Sequence, residues 1–399
     1  MERSIKKQLI IFSCLSSMLS FIFSGMDVVY TTFAINDIHI NTEELSLMRS
    51  LRLLLSIFVV FIMGSTISRI GNKSSVMFSI LLLSFSIILL ILYPTKQILF
   101  IAFPLYGALS AALMVNMNVM AQNTTKPYLE LSNTTYRSTF IAFSIIGPLI
   151  VGLLSNVDHK WVFTFFSCML GLSLIAAWGY PSGALARSPN QRAVSLSSIL
   201  KQWLKLLNNK PFIYFAVLTG FLNQLGMMNL ILIPYKLMNH NQVTEQQYSY
   251  LITLNAIVGL IFTLAAGYFL KKYLNAFIVI PYFLCMAGNI AMGLFSNLIV
   301  VAVLFVVSNA IYFMIMAPHS LWISTKLAGD MGNAFSLTKM ISSLIGFLLT
   351  LILSFVQPSL GIDGSMVVYS VSGLFFSFFL YLFLFREEKA KHLASPYKD

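Results

Sequence analysis

The sequence predicts an all-α, polytopic membrane protein with twelve transmembrane helices in two six-helix bundles. Three observations predict it. Of 399 residues, 58% are hydrophobic and 10% charged, and mean hydropathy is +0.84. Soluble globular chains carry about 45–50% apolar and about 25% charged residues, so a soluble globule is excluded. Disorder is excluded as well, because its signature is low hydrophobicity. The apolar residues run on for about 20 positions at a time, the length of a spanning helix, without the alternation of a membrane β-barrel. The basic residues sort onto alternate sides of these runs.

In order, the first six spans fall near 9–35, 46–66, 74–93, 97–121, 136–155 and 160–179. The second six fall near 212–236, 247–270, 275–295, 298–317, 334–356 and 366–385. Arg3, Lys6 and Lys7 precede the first run as in a secretory signal. That run continues to Ile35, longer than an h-region of about 7–15 residues, so it reads as a span that stays attached. Twelve spans leave little chain for an appended enzyme. With the N-terminus inside, nineteen of the 25 Lys and Arg residues lie in inner segments and three (Lys96, Lys160 and Lys236) in outer loops. Cytoplasmic loops collect Lys and Arg, so both termini are expected in the cytoplasm. The net charge of +12 then reflects topology and not a nucleic-acid partner.

The longest non-apolar stretch divides the chain into a bundle at 1–180, a basic cytoplasmic linker at 181–210, and a second bundle with a tail at 211–399. Within the linker, Ser195–Leu207 reads as an amphipathic helix on the membrane surface. Cys14, Cys168 and Cys285 sit inside apolar runs without metal-ligand spacing. No metal or cofactor is implied. The expectation is a multi-pass protein of the cell membrane, inner or plasma, acting as a monomer in the lipid bilayer.

Internal symmetry is visible. Gly64 to Asn72 reads GSTISRIGN and Gly267 to Asn275 reads GYFLKKYLN, at an offset of 203. SIIGPLIVGLLS from Ser144 matches SLIGFLLTLILS from Ser343, at an offset of 199. Repeats of this kind build many transporters. The chain resembles the major facilitator superfamily over its whole length. The most specific sign is Gly64-x-x-x-Ser68-Arg69-x-Gly71-x-Lys73, similar to that family's loop 2–3 motif, with Ser68 where the family carries an acid. Gly64, Arg69, Gly71 and Lys73 are thereby implied in an inner gate, glycines for the tight turn and basic residues for helix ends. Gly147-Pro148 with Gly152 resembles the antiporter signature of span five, with Val151 replacing one glycine. The span-four arginine of drug antiporters is absent.

Ionisable groups inside a bilayer cost about 2.5–3.5 kcal/mol each on insertion scales and face a cavity or a partner. Asp27 lies about 12 Å from the outer end of span one and Arg52 about 9 Å from that of span two, at 1.5 Å per residue. The matched depths predict an ion pair, with Asp27 the proton-coupling candidate; a purely structural tie between the helices is the competing reading. Arg49 lies nearer the surface and is expected to snorkel. Lys339 is either a cavity residue or a snorkelling one. The resemblance puts spans one, four, seven and ten on the cavity. Polar residues there make Asn116, Asn118, Asn223, Gln224, Asn309 and Tyr312 substrate-binding candidates with Arg52 and Lys339. Interhelical hydrogen bonding is the alternative for each.

No Walker-type phosphate loop is present, and no clustered catalytic residues suggest an enzyme. The resemblance implies a secondary transporter working by alternating access on a small molecule, driven by an ion gradient, with the proton a candidate coupling ion, or by the substrate's own gradient. The cations around Asp27 suit a carboxylate-bearing substrate. Among family members, antiporting exporters of carboxylate-rich metallophores, the staphylopine type included, fit this reading and would place the chain in metal homeostasis. Multidrug or sugar efflux is the alternative.

Overall fold

The computed structural model describes residues 2–122, 129–154, 156–180, 196–227, 229–315, 318–319, 322–323 and 331–394. The described residues are helical nearly throughout. They form α1 (Glu2–Thr32), α2 (Thr42–Ile70), α3 (Asn72–Leu92), α4 (Lys96–Gln122), α5 (Leu129–Leu153), α6 (His159–Gly179) and α7 (Leu196–Leu207). These are followed by α8 (Lys210–Met227), α9 (Asn229–Tyr235), α10 (Glu245–Leu294), α11 (Leu298–Phe313) and α12 (Met331–Ala394).

Two of these are double spans. α10 breaks at Tyr273 (φ −128°, ψ 39°) and α12 at Gly361 (φ +66°), a conformation that favours glycine because no Cβ meets the backbone there. Eight helical stretches are long and apolar enough to cross a membrane, the last of them (Ala334–Arg386) holding the Gly361 break. Three shorter apolar helices, Thr139–Leu153, Lys210–Leu222 and Leu298–Phe313, bring the described spans to twelve. The protein is an all-helical, multi-pass membrane protein. Large apolar side chains such as Phe58, Phe355 and Ile175 are exposed, as a lipid-facing surface requires.

The chain divides into two compact units, Met1–Gln202 with Gln242–Ile257, and Trp203–Asn241 with Val258–Asp399. α10 therefore begins in the first unit and continues in the second. Most of the expected linker, 181–195, lies outside the described residues; α7 follows it, with Trp203 and Leu206 buried and Leu204 exposed.

In the first unit, α1 packs on α5 and α6, α2 on α4, and α3 on α4 and α6. The α1–α5 seam is tight. A Cβ on Gly147 would collide with the Phe21 carbonyl oxygen and the Gly25 nitrogen, so Gly147 is needed for backbone approach. At one end of this unit, Tyr30, Phe103, Tyr106 and Phe163 form a buried aromatic cluster with ring centroids 5.0–5.6 Å from Tyr30. In the second unit, α8 packs on α12, and Phe215 stacks on Trp322 at 3.8 Å.

The repeat extends into backbone detail. α1 ends in a π-helical turn, Phe33–Asp37, and α9 ends in another, Lys236–His240. Among the described residues, the non-glycine ones with positive φ are His39 (55°) and Gln242 (53°). Asn41 and Glu44 exchange backbone-to-side-chain hydrogen bonds at the start of α2, as Thr244 and Gln247 do before α10. Every one of these pairs sits at the offset of 203 that relates Gly64 to Gly267.

Candidate functional site

Asp27 lies on α1 and Arg52 on α2. The Arg52 guanidinium donates to Asp27 Oδ1 at 3.1 Å. Arg52 reaches it by lying across Gly107 of α4, where a Cβ would fall on the arginine's Nε, Cδ and Cγ. The Asp27 side chain is 46% exposed and that of Arg52 18%. The carboxylate is thus open on one side while its partner is held against helix.

Arg49 stands one turn before Arg52 on the same face of α2. Snorkelling is expected for it from sequence, yet it is 6% exposed. It donates to the Thr31 hydroxyl at 3.3 Å, and its Nε has no hydrogen-bond partner. The Cζ atoms of Arg49 and Arg52 each lie 5.5 Å from the Phe103 ring centroid, within the range of a cation–π attraction. That ring explains the burial: it offers a cation a face inside the bundle, where the alternative for Arg49 is a stretch outward. The Tyr106 hydroxyl, also buried, has no partner either. Guanidinium groups stay charged in proteins, so the cluster holds two positive charges against one carboxylate. That surplus of positive charge suits an anion.

Other residues singled out in the sequence are scattered. Asn116 is fully buried and donates to Ser75 Oγ at 3.0 Å, linking α4 to α3. Asn309 is half-buried and bonds the Phe305 carbonyl of its own helix at 3.2 Å. Tyr312 and Lys339 are half-buried on α11 and α12. The side chains of Asn118, Asn223, Gln224 and Arg69 lie outside the described residues, as do the surroundings of Gly64. Gly71 (φ +84°) makes the break between α2 and α3, and Lys73 donates to the Trp178 carbonyl at the C-terminal end of α6, where a cation is favoured.

Two polar contacts have no sign in the sequence. Lys236, placed in an outer loop by its position between spans, is 2% exposed and donates to the Met292 carbonyl (2.6 Å) and Asp363 Oδ1 (2.7 Å). His319 bonds the Tyr282 hydroxyl at 3.0 Å. The partners lie tens of residues away in sequence, beyond any periodic pattern. Among the described residues no group of three His, Cys, Asp or Glu side chains could hold a metal.

The sequence profile of the Major Facilitator Superfamily matches residues 11–350. The chain belongs to the major facilitator superfamily. Solved transporter structures agree at the level of fold. The nucleoside transporter NupG superposes with TM-score 0.73 at 12% identity, covering 94% of this chain and 99% of that one. The xylose transporter XylE from E. coli gives 0.73 at 13% identity, covering 94% and 98%. The POT family transporter PepTSo gives 0.75 at 10% identity, covering 96% and 98%. No curated protein sequence matches the chain. The protein is a secondary transporter of the major facilitator type and not an enzyme.

Proposed function

We propose that this transporter exports a small, polar, carboxylate-bearing metabolite, such as an opine-type metallophore, by alternating access in exchange for a proton. The observation that carries the reading is the surplus of positive charge: among the described residues Arg49, which is buried, and Arg52 face the single carboxylate of Asp27, and the Arg49 Nε has no acceptor. A buried, uncompensated charge costs several kcal/mol (~3–5). A substrate carboxylate removes that penalty and makes charge-assisted, bidentate bonds with guanidinium. The half-open Asp27 carboxylate supports the proton half of the exchange. Ionised, it holds Arg52; neutral, it releases Arg52 to the substrate. The protein works as a monomer in the cell membrane with both termini in the cytoplasm, so the π-helical end of α1 faces outward.

The test is a paired metabolite profile, inside and outside cells, with and without the gene, in metal-poor medium. The expected result is a carboxylate-bearing metallophore retained by the deletion strain, released on complementation with the wild type and not with Asp27→Asn or Arg52→Gln. Identical profiles in all strains overturn the metallophore reading. Drug-susceptibility and sugar-efflux panels then decide between the remaining substrate classes.

A further inference from the structure

A second cluster of titratable groups lies at the π-helical end of α1, apart from Asp27. His159 is the first residue of α6, and its side chain is 11% exposed. Its Nδ1 is 2.8 Å from Oδ2 of Asp37, the last residue of the π-helical turn. Its Nε2 is 3.3 Å from Oε1 of Glu245, the first residue of α10, whose side chain is 12% exposed. The Thr32 hydroxyl donates to the same Glu245 oxygen at 2.8 Å, and the Phe33 ring lies 5.4 Å from the imidazole. All of these residues belong to the first unit.

The geometry constrains the proton count. A neutral imidazole carries one N–H and one lone pair. It can donate to one of these carboxylates and must turn a lone pair toward the other. Only the doubly protonated ring donates to both. Few other charges face the ring. α1 supplies Asp37 and α10 supplies Glu245. α6 itself adds Asp158, whose carboxylate caps the helix by accepting from the Lys160 N–H at 2.8 Å, and the exposed Lys160. His39, just past Asp37, is exposed.

We propose that His159 is a proton-binding site distinct from Asp27, and that its proton latches the start of α10 onto α1 and α6. Loss of the proton releases Glu245 in preference to Asp37. The Glu245 contact is the longer one, and its carboxylate is the more enclosed, so a lone pair there leaves a buried charge supported by Thr32 alone. Asp37, at 41% exposed, already meets water. Release of Glu245 frees the segment Gln242–Ile257, through which α10 joins the first unit. In the orientation proposed above, this makes an outward-facing latch held shut by external protons. Its place on the transport cycle rests on the carrier reading; the latch itself does not.

Hydrogen–deuterium exchange of the α10 amides from Glu245 to Ile257 tests it without substrate. The purified full-length protein is placed in nanodiscs and followed from about pH 5.5 to about pH 8.5, on either side of an ordinary histidine, with rates corrected for intrinsic exchange. In the wild type, protection is expected to fall at least about tenfold as pH rises, a change of about 1.4 kcal/mol. His159→Arg, permanently charged, stays protected at every pH. His159→Gln loses the protection and the pH dependence together. Should His159→Gln not fold, Glu245→Gln serves: its neutral amide needs no second ring proton, so its protection is flat with pH. A pH-independent wild type, or a His159→Gln or Glu245→Gln protein with the wild-type profile, overturns the proposal. Because no transport is measured, these outcomes stand whatever the metabolite profile shows.

Discussion

At the scale of single residues, Arg49 separates a structural from a functional reading of the buried charges. A guanidinium that tied helices together would be missed when removed. A surplus cation awaiting an anion should not be, since its removal leaves no buried partner charge uncompensated, the loss that makes breaking a buried pair cost about 3–5 kcal/mol. Arg49→Met is therefore expected to leave the melting temperature unchanged or raise it while abolishing metabolite release. A clear drop in melting temperature would assign Arg49 to stability instead. Gly107 gives the converse case. Arg52 lies across it, so Gly107→Ala forces the guanidinium off its path to Asp27 while keeping both charged residues. Overpacking costs about 1–3 kcal/mol. The expected phenotype is modest destabilisation in thermal unfolding with release impaired as in Arg52→Gln. Release at the wild-type rate would show that the placement of Arg52 is unimportant.

How far the site could be read from sequence follows from these residues. Asp27 and Arg52 were legible because ionisable groups stand out in apolar runs and consecutive helices put them at one depth. Arg49 is buried where its sequence position suggests the surface, because depth along a helix says nothing about what lies beside it. Its neighbour Phe103 is on another helix. His159 and Glu245 were invisible for the same reason: each reads as an unremarkable helix-start residue, and only the fold brings them together across 86 positions of chain.

Among the elements, the α1–α5 seam and the open face of α6 make opposite predictions about tolerance. Gly147 faces backbone atoms of α1, which cannot move aside. Gly147→Val is expected to separate the helices and fail to give folded protein by size-exclusion chromatography. Gly171 in α6 has nothing within 4 Å of the place a Cβ would take, so Gly171→Ala should be tolerated or gain up to about 1 kcal/mol from helix propensity. For the turn, Lys236 is buried and bonded to both Met292 and Asp363. Asp363→Asn leaves the ammonium with a carbonyl near a helix C-terminus as its main partner. Lys236→Met leaves only a half-open carboxylate that water can reach. Thermal unfolding should therefore rank Asp363→Asn as the more destabilising of the two, by about 1–3 kcal/mol for a buried group losing its charged partner. The reverse order would mean that the Met292 carbonyl alone satisfies the lysine.

For the whole molecule, the repeat explains why the fold was far more legible than the site. The offset of 203 carries π-helical turns, positive-φ residues and helix caps from one half to the other, because those features depend on local chain geometry that each half must solve. It does not carry the charged cluster: Asp27, Arg49 and Arg52 map onto Leu230, Ile252 and Asn255, although Arg69 of the first half still meets Lys272 of the second. The frame is duplicated, and the Asp27–Arg52 cluster occurs in one copy. The same separation governs topology, since orientation depends on where Lys and Arg lie between spans and not on the site. Fusions to a reporter active only outside the cytoplasm test it directly. A fusion after Thr95, between α3 and α4, is expected to be active. Fusions after Gly71, Asn209 and Arg386 are expected to be inactive, while a cytoplasmic fluorescent reporter shows the reverse. The prediction rests on nineteen inner against three outer basic residues, and one of the three, Lys236, is buried in protein and so exerts no pull on the loop, which sharpens the asymmetry. Activity after Asn209 would place the basic α7 segment outside. It would reverse the face on which His159 meets protons and the direction in which Asp27 is loaded.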